Sequence, residues 1–216
     1  MPIHGLIFWL LTLLPFAQGV LLPKVVMVGD SIRGGYQPVV ERRLKGSAEV
    51  VGPGGTTSRA LLEHLDEWII ARKPVVVYVN CGLHDCALDR KTNEPRVLIQ
   101  EYRANLEKIF ERLHRETQAH VIWATTTPVN EEWQVSVPPP RGYGALGRRN
   151  SDVRAYNAVA VEIARRFDIE VHDLYDVVTR AGRDKQLKED GIHFTEAAYE
   201  LIGQAVAETI RARLPH

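Results

Sequence analysis

Two short fragments of this sequence hold residue types able to do nucleophilic chemistry. The first is Gly29-Asp30-Ser31-Ile32, where an apolar run ends and a helical pattern begins. A serine there sets its hydroxyl where the N–H groups of a helix start point outward and favour negative charge. Taken alone, the fragment is better explained as a helix cap. The second fragment is Asp190-Gly191-Ile192-His193, just ahead of the last helical pattern. A tight turn there presents both side chains at one edge of the domain. An aspartate that fixes an imidazole tautomer, and a histidine that takes a hydroxyl proton, are the parts a serine nucleophile needs. Taken alone, this pair reads equally as a surface Asp-Gly turn before a helix.

The elements that must position these fragments follow from hydrophobic patterning. Five apolar runs read as buried strands: Lys24–Gly29, Glu49–Gly52, Pro74–Asn80, His120–Thr125 and Glu170–Leu174. Val and Ile dominate them, as in strands covered on both faces. Between them lie one-faced helical stripes. One is Leu61, Leu62, Leu65, Trp68 and Ile69; another is Leu98, Tyr102, Leu106, Ile109, Phe110 and Leu113. A third runs Val153, Tyr156, Ala160, Ile163, Ala164 and Phe167, and the last is Ala198, Leu201, Ile202, Ala205 and Val206. All four read as core packing. Alternating strands and helices predict a parallel sheet with helices on both faces, and ligands of such sheets bind beyond the strands' carboxyl ends. Both chemical fragments fall at such positions. Pro128 to Arg149 has no stable period and contains Pro138-Pro139-Pro140; it is expected to be a lid or substrate-binding loop.

The order of the fragments, with glycine turns between them, resembles the SGNH hydrolase superfamily, also called GDSL esterases and lipases. Gly29-Asp30-Ser31-Ile32 is similar to its first block. Gly54, in Pro53-Gly54-Gly55-Thr56-Thr57-Ser58, is similar to the second-block glycine. Gly82-Leu83-His84-Asp85 stands where the third block, Gly-x-Asn-Asp, is expected, and Asp190-x-x-His193 matches the fifth. The resemblance spans nearly all of Lys24 to Pro215. It implies a flavodoxin-like three-layer α/β/α sandwich with a five-stranded parallel sheet. It also implies ester hydrolysis with Ser31 as nucleophile, His193 as base and Asp190 as its orienting acid. The oxyanion would be met by the N–H groups of Ser31 and Gly54 and by His84, which replaces the family's Asn. A neutral imidazole donates one N–H, so the replacement is chemically sound. Asp85 is expected to bond backbone N–H groups of its own turn. The resemblance implies no metal and no organic cofactor. Exported members remove acetyl or other short acyl groups from carbohydrates, so a small-molecule or carbohydrate ester is the expected substrate. A lysophospholipase or thioesterase, and a non-catalytic glycan-binding module on the same fold, are the alternatives.

Composition sets the remaining bounds. The chain has 216 residues, with Lys+Arg and Asp+Glu equal at 27 each. Zero net charge offers no electrostatic attraction to nucleic acid or anionic membrane. Residues 1–19 contain no Asp, Glu, Lys or Arg and end Ala17-Gln18-Gly19, which reads as a secretory signal peptide ahead of a hydrolase domain over 23–216. Export to the periplasm or medium follows; an uncleaved segment would instead anchor the chain in a membrane. Cys81 and Cys86 read as two small buried thiols, with a disulfide as the alternative. Without a matching Cys/His pair they do not make a zinc site.

Overall fold

A computed structural model describes residues 21–55, 57–89, 91–136 and 146–215. The expected signal segment and the centre of the Pro128–Arg149 loop lie outside the described residues. The first half of the chain forms β1 (Lys24–Val28), α1 (Ser31–Leu44), β2 (Glu49–Val51), α2 (Ser58–Glu63), α3 (Leu65–Trp68), β3 (Val76–Val79), β4 (Leu88–Asp89) and α4 (Ile99–Glu116). The second half forms β5 (His120–Ala124), α5 (Glu131–Ser136), β6 (Leu146–Gly147), α6 (Asn150–Arg166), β7 (Glu170–His172), α7 (Leu174–Arg180), α8 (Arg183–Gln186) and α9 (Glu196–Arg211).

Five strands make one parallel sheet in the order β2-β1-β3-β5-β7. They are the five apolar runs, each trimmed at its carboxyl end and the Pro74–Asn80 run at both. Val25 pairs with Val50 on one side and Val76 on the other, and Val77 pairs with Val121. Val25, Val26, Met27 and Val76 to Val79 are fully buried, as a sheet covered on both faces requires. Helices α1 and α9 pack on each other, while α4 packs against both α2 and α6. The result is the expected α/β/α sandwich.

Helix α4 shows how the periodicity becomes packing. Tyr102, Leu106, Ile109, Phe110 and Leu113 are all buried, and Phe110 meets Trp123 of β5 edge-on at 5.2 Å between ring centroids. Each such side chain contributes about 1.5–3 kcal/mol through burial. Leu98 departs from its stripe: it precedes the helix and is 52% exposed. The Leu61–Ile69 stripe also differs from a single helix. It breaks at His64 into α2 and α3, followed by a single 3-10 turn, yet Leu61, Leu65 and Ile69 still reach the core.

The Pro128–Arg149 segment is more ordered at its ends than its composition suggests. It holds α5, and β6 pairs antiparallel with β4. Neither element is long enough to display a period, so patterning passes over them. Cys81 and Cys86 are free and buried. Among the described residues, no helix is long and apolar enough to cross a membrane.

Candidate active site

Strand β1 ends at Val28, and Asp30 caps α1 by accepting the N–H of Ile32 at 2.9 Å. This cap sets Ser31 as the first residue of α1, exposed at the carboxyl edge of the sheet. Its N–H belongs to the first turn and has no partner within the helix. The cap and the exposed hydroxyl are therefore both real features of one fragment.

His193 stands on a short hairpin. Leu187 bridges Phe194, Lys188 N–H donates to the His193 carbonyl at 2.7 Å, and Gly191 N–H donates to the Lys188 carbonyl at 2.9 Å. Asp190 folds its carboxylate back on this turn. Its Oδ1 accepts the N–H groups of Ile192 and His193, each at 2.9 Å, and its Oδ2 meets His193 Nδ1 at 2.6 Å. The opposite ring nitrogen, Nε2, lies 2.9 Å from Ser31 Oγ. Hydroxyl, imidazole and carboxylate thus form one line between residues that are 162 positions apart at its hydroxyl end.

The electrostatics give the line a direction. Burial raises the Asp190 carboxyl, but hydrogen bonds from the His193 ring and the two backbone N–H groups outweigh it. The group is held below the usual carboxylate range. An ionised Asp190 only accepts, so His193 carries its proton on Nδ1 and offers the Nε2 lone pair to the Ser31 hydroxyl.

The glycine turn after β2 holds two adjacent glycines whose surroundings differ. Gly54 bridges Gly29, directly beside Ser31, and is exposed. A Cβ at Gly54 would enter open space, whereas one at Gly55 would crowd Val28 Cγ1 at 2.9 Å. Packing therefore explains Gly55 and leaves Gly54 as the position whose missing side chain keeps space free next to the serine.

His84 follows β3 and is half-buried. Its Nδ1 is enclosed and has no hydrogen-bond partner among the described residues. Burial pushes its pKa down; Asp30 opposes this, and Arg148, Arg96 and His193 reinforce it. The ring is therefore neutral near pH 7. Placing its proton on Nε2 avoids an orphaned buried N–H and leaves a donor on the less enclosed side. Asp85 reaches beyond its own turn. Its Oδ1 accepts from Ser58 N–H at 2.8 Å and from Ser58 Oγ at 2.5 Å, so it fixes the start of α2 across the chain. Burial raises its carboxyl to about 6 in spite of the Ser58 bonds.

Two residues at the site carried no sequence signal. Asn130 is buried, and its N–H donates to the Gly191 carbonyl at 2.8 Å while its Oδ1 accepts from Glu132 and Trp133. It therefore docks the His193 hairpin onto the segment after β5. Arg148 is buried with its Nε donating to the Leu83 carbonyl at 2.8 Å, one peptide before His84.

A hydroxyl, an imidazole and a carboxylate aligned at the carboxyl edge of a parallel sheet is the geometry of the serine hydrolase class. The chain belongs to the GDSL-like lipase/acylhydrolase family, whose model matches residues 17–201. It is similar to a lipase/acylhydrolase of known structure from Enterococcus faecalis. That likeness has 26% identity and a TM-score of 0.74, and it covers 90% of this chain and 98% of the other. An isoamyl acetate-hydrolyzing esterase 1 homolog from Mus musculus is 25% identical, with 86% of this chain and 80% of that protein covered. An acetylxylan esterase from Geobacillus stearothermophilus has 20% identity and a TM-score of 0.67, over 87% of this chain and 94% of the other. This protein is a hydrolase acting on ester bonds.

Proposed function

We propose that Ser31, His193 and Asp190 are a catalytic triad that removes an acetyl or similarly short acyl group from a carbohydrate or small alcohol. The unbroken line from Ser31 Oγ through both ring nitrogens of His193 to Asp190 carries this reading. His193 Nε2 takes the hydroxyl proton as Ser31 Oγ attacks the ester carbonyl. The tetrahedral oxyanion is met by the N–H groups of Ser31 and Gly54 and by the Nε2–H of His84. The imidazolium gives its proton to the leaving alcohol, which leaves an acyl-serine. Water, deprotonated by the same imidazole, then releases the acid and restores the serine. No step calls for a metal or an organic cofactor.

Short acyl groups are favoured by two similar proteins, a homolog of an isoamyl acetate-hydrolyzing esterase and an acetylxylan esterase. The apolar segment 1–19 supports export as the place where this activity is used, checked by N-terminal sequencing of the mature protein. The triad is tested by labelling with a fluorophosphonate, which reacts quickly only with an activated serine. Wild type should label at Ser31 and turn over nitrophenyl acetate faster than longer esters, with release of acetate from acetylated xylan. Equal labelling of Ser31→Ala, or a rate that rises with acyl length, would overturn the respective part.

A further inference from the structure

Arg148 is the least explained charged group near the site. Only 8% of the residue is exposed. Its backbone is clamped by Gln134, which accepts from Arg148 N–H at 2.9 Å and donates to its carbonyl at 3.0 Å. Its Nε is spent on the Leu83 carbonyl at 2.8 Å. The two terminal nitrogens make no hydrogen bond to any described residue, and no carboxylate lies within 4.0 Å of the guanidinium among the described residues. The remaining residues of the chain, 1–20, 56, 90, 137–145 and 216, contain no Asp or Glu. Burial accordingly pulls the guanidinium's pKa down from its ordinary value. An arginine clamped in this way, with no carboxylate partner among the described residues, presents a fork built for two-point contact with a carboxylate or phosphate.

A second cation stands beside it. Arg96 is exposed, makes no side-chain hydrogen bond or ion pair among the described residues, and lies near enough for its charge to bear on both Arg148 and His84. Its N–H donates to the Ala87 carbonyl, which ties it to the turn that carries His84. Two carboxylates share this neighbourhood without pairing with either arginine. Asp190 is committed to His193 and its own turn, and Asp30 accepts from Ile32.

We propose that Arg148 and Arg96 form an anion-binding subsite at the rim of the active site, so the preferred ester carries a carboxylate or phosphate on its alcohol part. The alcohol part is assigned because an acetyl group has no room for a charge, so the inference rests on the short-acyl triad reading. Arg148 supplies the fixed fork, held on the carbonyl next to His84, and Arg96 the exposed outer charge that draws the anion in.

The test compares para-acetoxybenzoate with its neutral methyl ester, and para-acetoxyphenyl phosphate with phenyl acetate. Each kcat/KM is corrected for that ester's rate with hydroxide. Wild type should prefer an anionic member by roughly tenfold or more at low salt, and the preference should shrink as ionic strength rises. The pair showing the larger ratio identifies carboxylate or phosphate as the recognised group. The ratio should fall toward unity in Arg148→Gln and in Arg96→Gln. Should Arg148→Gln fail to fold, by circular dichroism, the exposed Arg96→Gln decides alone. Equal corrected rates within both pairs, or a preference that survives the substitutions, overturns the subsite while leaving the triad standing. Loss of turnover on every acetate, neutral ones included, overturns the triad reading first and the subsite with it.

Discussion

The turn that holds Ser31 and the turn that holds His193 reach the same place by different means. The serine turn is local: a strand end, one glycine and an Asp30 cap settle its geometry within a few residues. The histidine turn is held from afar. Its Gly191 has φ +68°, and a Cβ there would collide with the Asn130 carbonyl. The hairpin is thus wedged against the segment after β5. A nucleophile needs exposure and a helix start, and a short stretch of chain supplies both. A base needs an exact distance from another element, and only tertiary contacts supply that.

The largest effects are expected on removing the proposed nucleophile and then the proposed side-chain donor to the oxyanion. Ser31→Ala should lower kcat by at least about a thousandfold with an unchanged melting temperature, since the hydroxyl is exposed and contributes no packing. Retention of most of the rate would show that another residue attacks. His84→Ala should lower kcat about a hundredfold with KM little altered, the signature of a donor engaged mainly in the transition state. His84→Asn should recover much of that loss. If both variants match wild type, backbone donors suffice.

The two turns themselves are compared by Gly191→Ala and Asp30→Ala. The first forces a left-handed backbone, at about 1–2 kcal/mol, and pushes against Asn130. It should reduce kcat and stability together. The second removes a cap worth about 1 kcal/mol and should affect stability more than rate. An Asp30→Ala enzyme slower than Gly191→Ala would reverse the contrast.

The smallest effect on rate is expected at Asp85. Its carboxyl is raised from 3.8 to about 6 by burial. Between those values the native state keeps a proton that the unfolded chain has lost, so this group's contribution to stability declines as pH rises through that window. The full difference is roughly 3 kcal/mol. Asp85→Asn keeps an acceptor for Ser58 and should remove this component. Urea melts at pH 4 and 7 should show wild type losing stability relative to the variant as pH rises; a constant difference would refute the assignment.

What was readable in advance follows the same division. The five strands were legible because each is a run of buried Val and Ile, and Ser31 and His193 because glycines mark their turns. The likeness of four blocks to one family then joined fragments that were ambiguous singly. Asn130 and Arg148 were not legible. Their roles consist of bonds to Gly191 and Leu83, residues far away in sequence, and neither belongs to a repeating pattern. The break at His64 was hidden for another reason: three short helical pieces place Leu61, Leu65 and Ile69 inward as one helix would.

The packing of α1 on α9 bears on how this protein becomes active during synthesis. Ser31 begins α1, and His193 lies just before α9, with Gly203 set against Val39 and Arg42 and Arg43 reaching Glu200 across the helix pair. The sheet is parallel and its strands are distant in sequence, a topology that folds slowly. On a ribosome, β1, β3 and β5 emerge before the hairpin of residues 187–194 and its helix leave the exit tunnel. Under the proposed triad, the nascent chain therefore lacks the base for Ser31 until that hairpin is out. Ester turnover by ribosome-bound chains of increasing length would rise in a single late step, making the enzyme a reporter of its own completion.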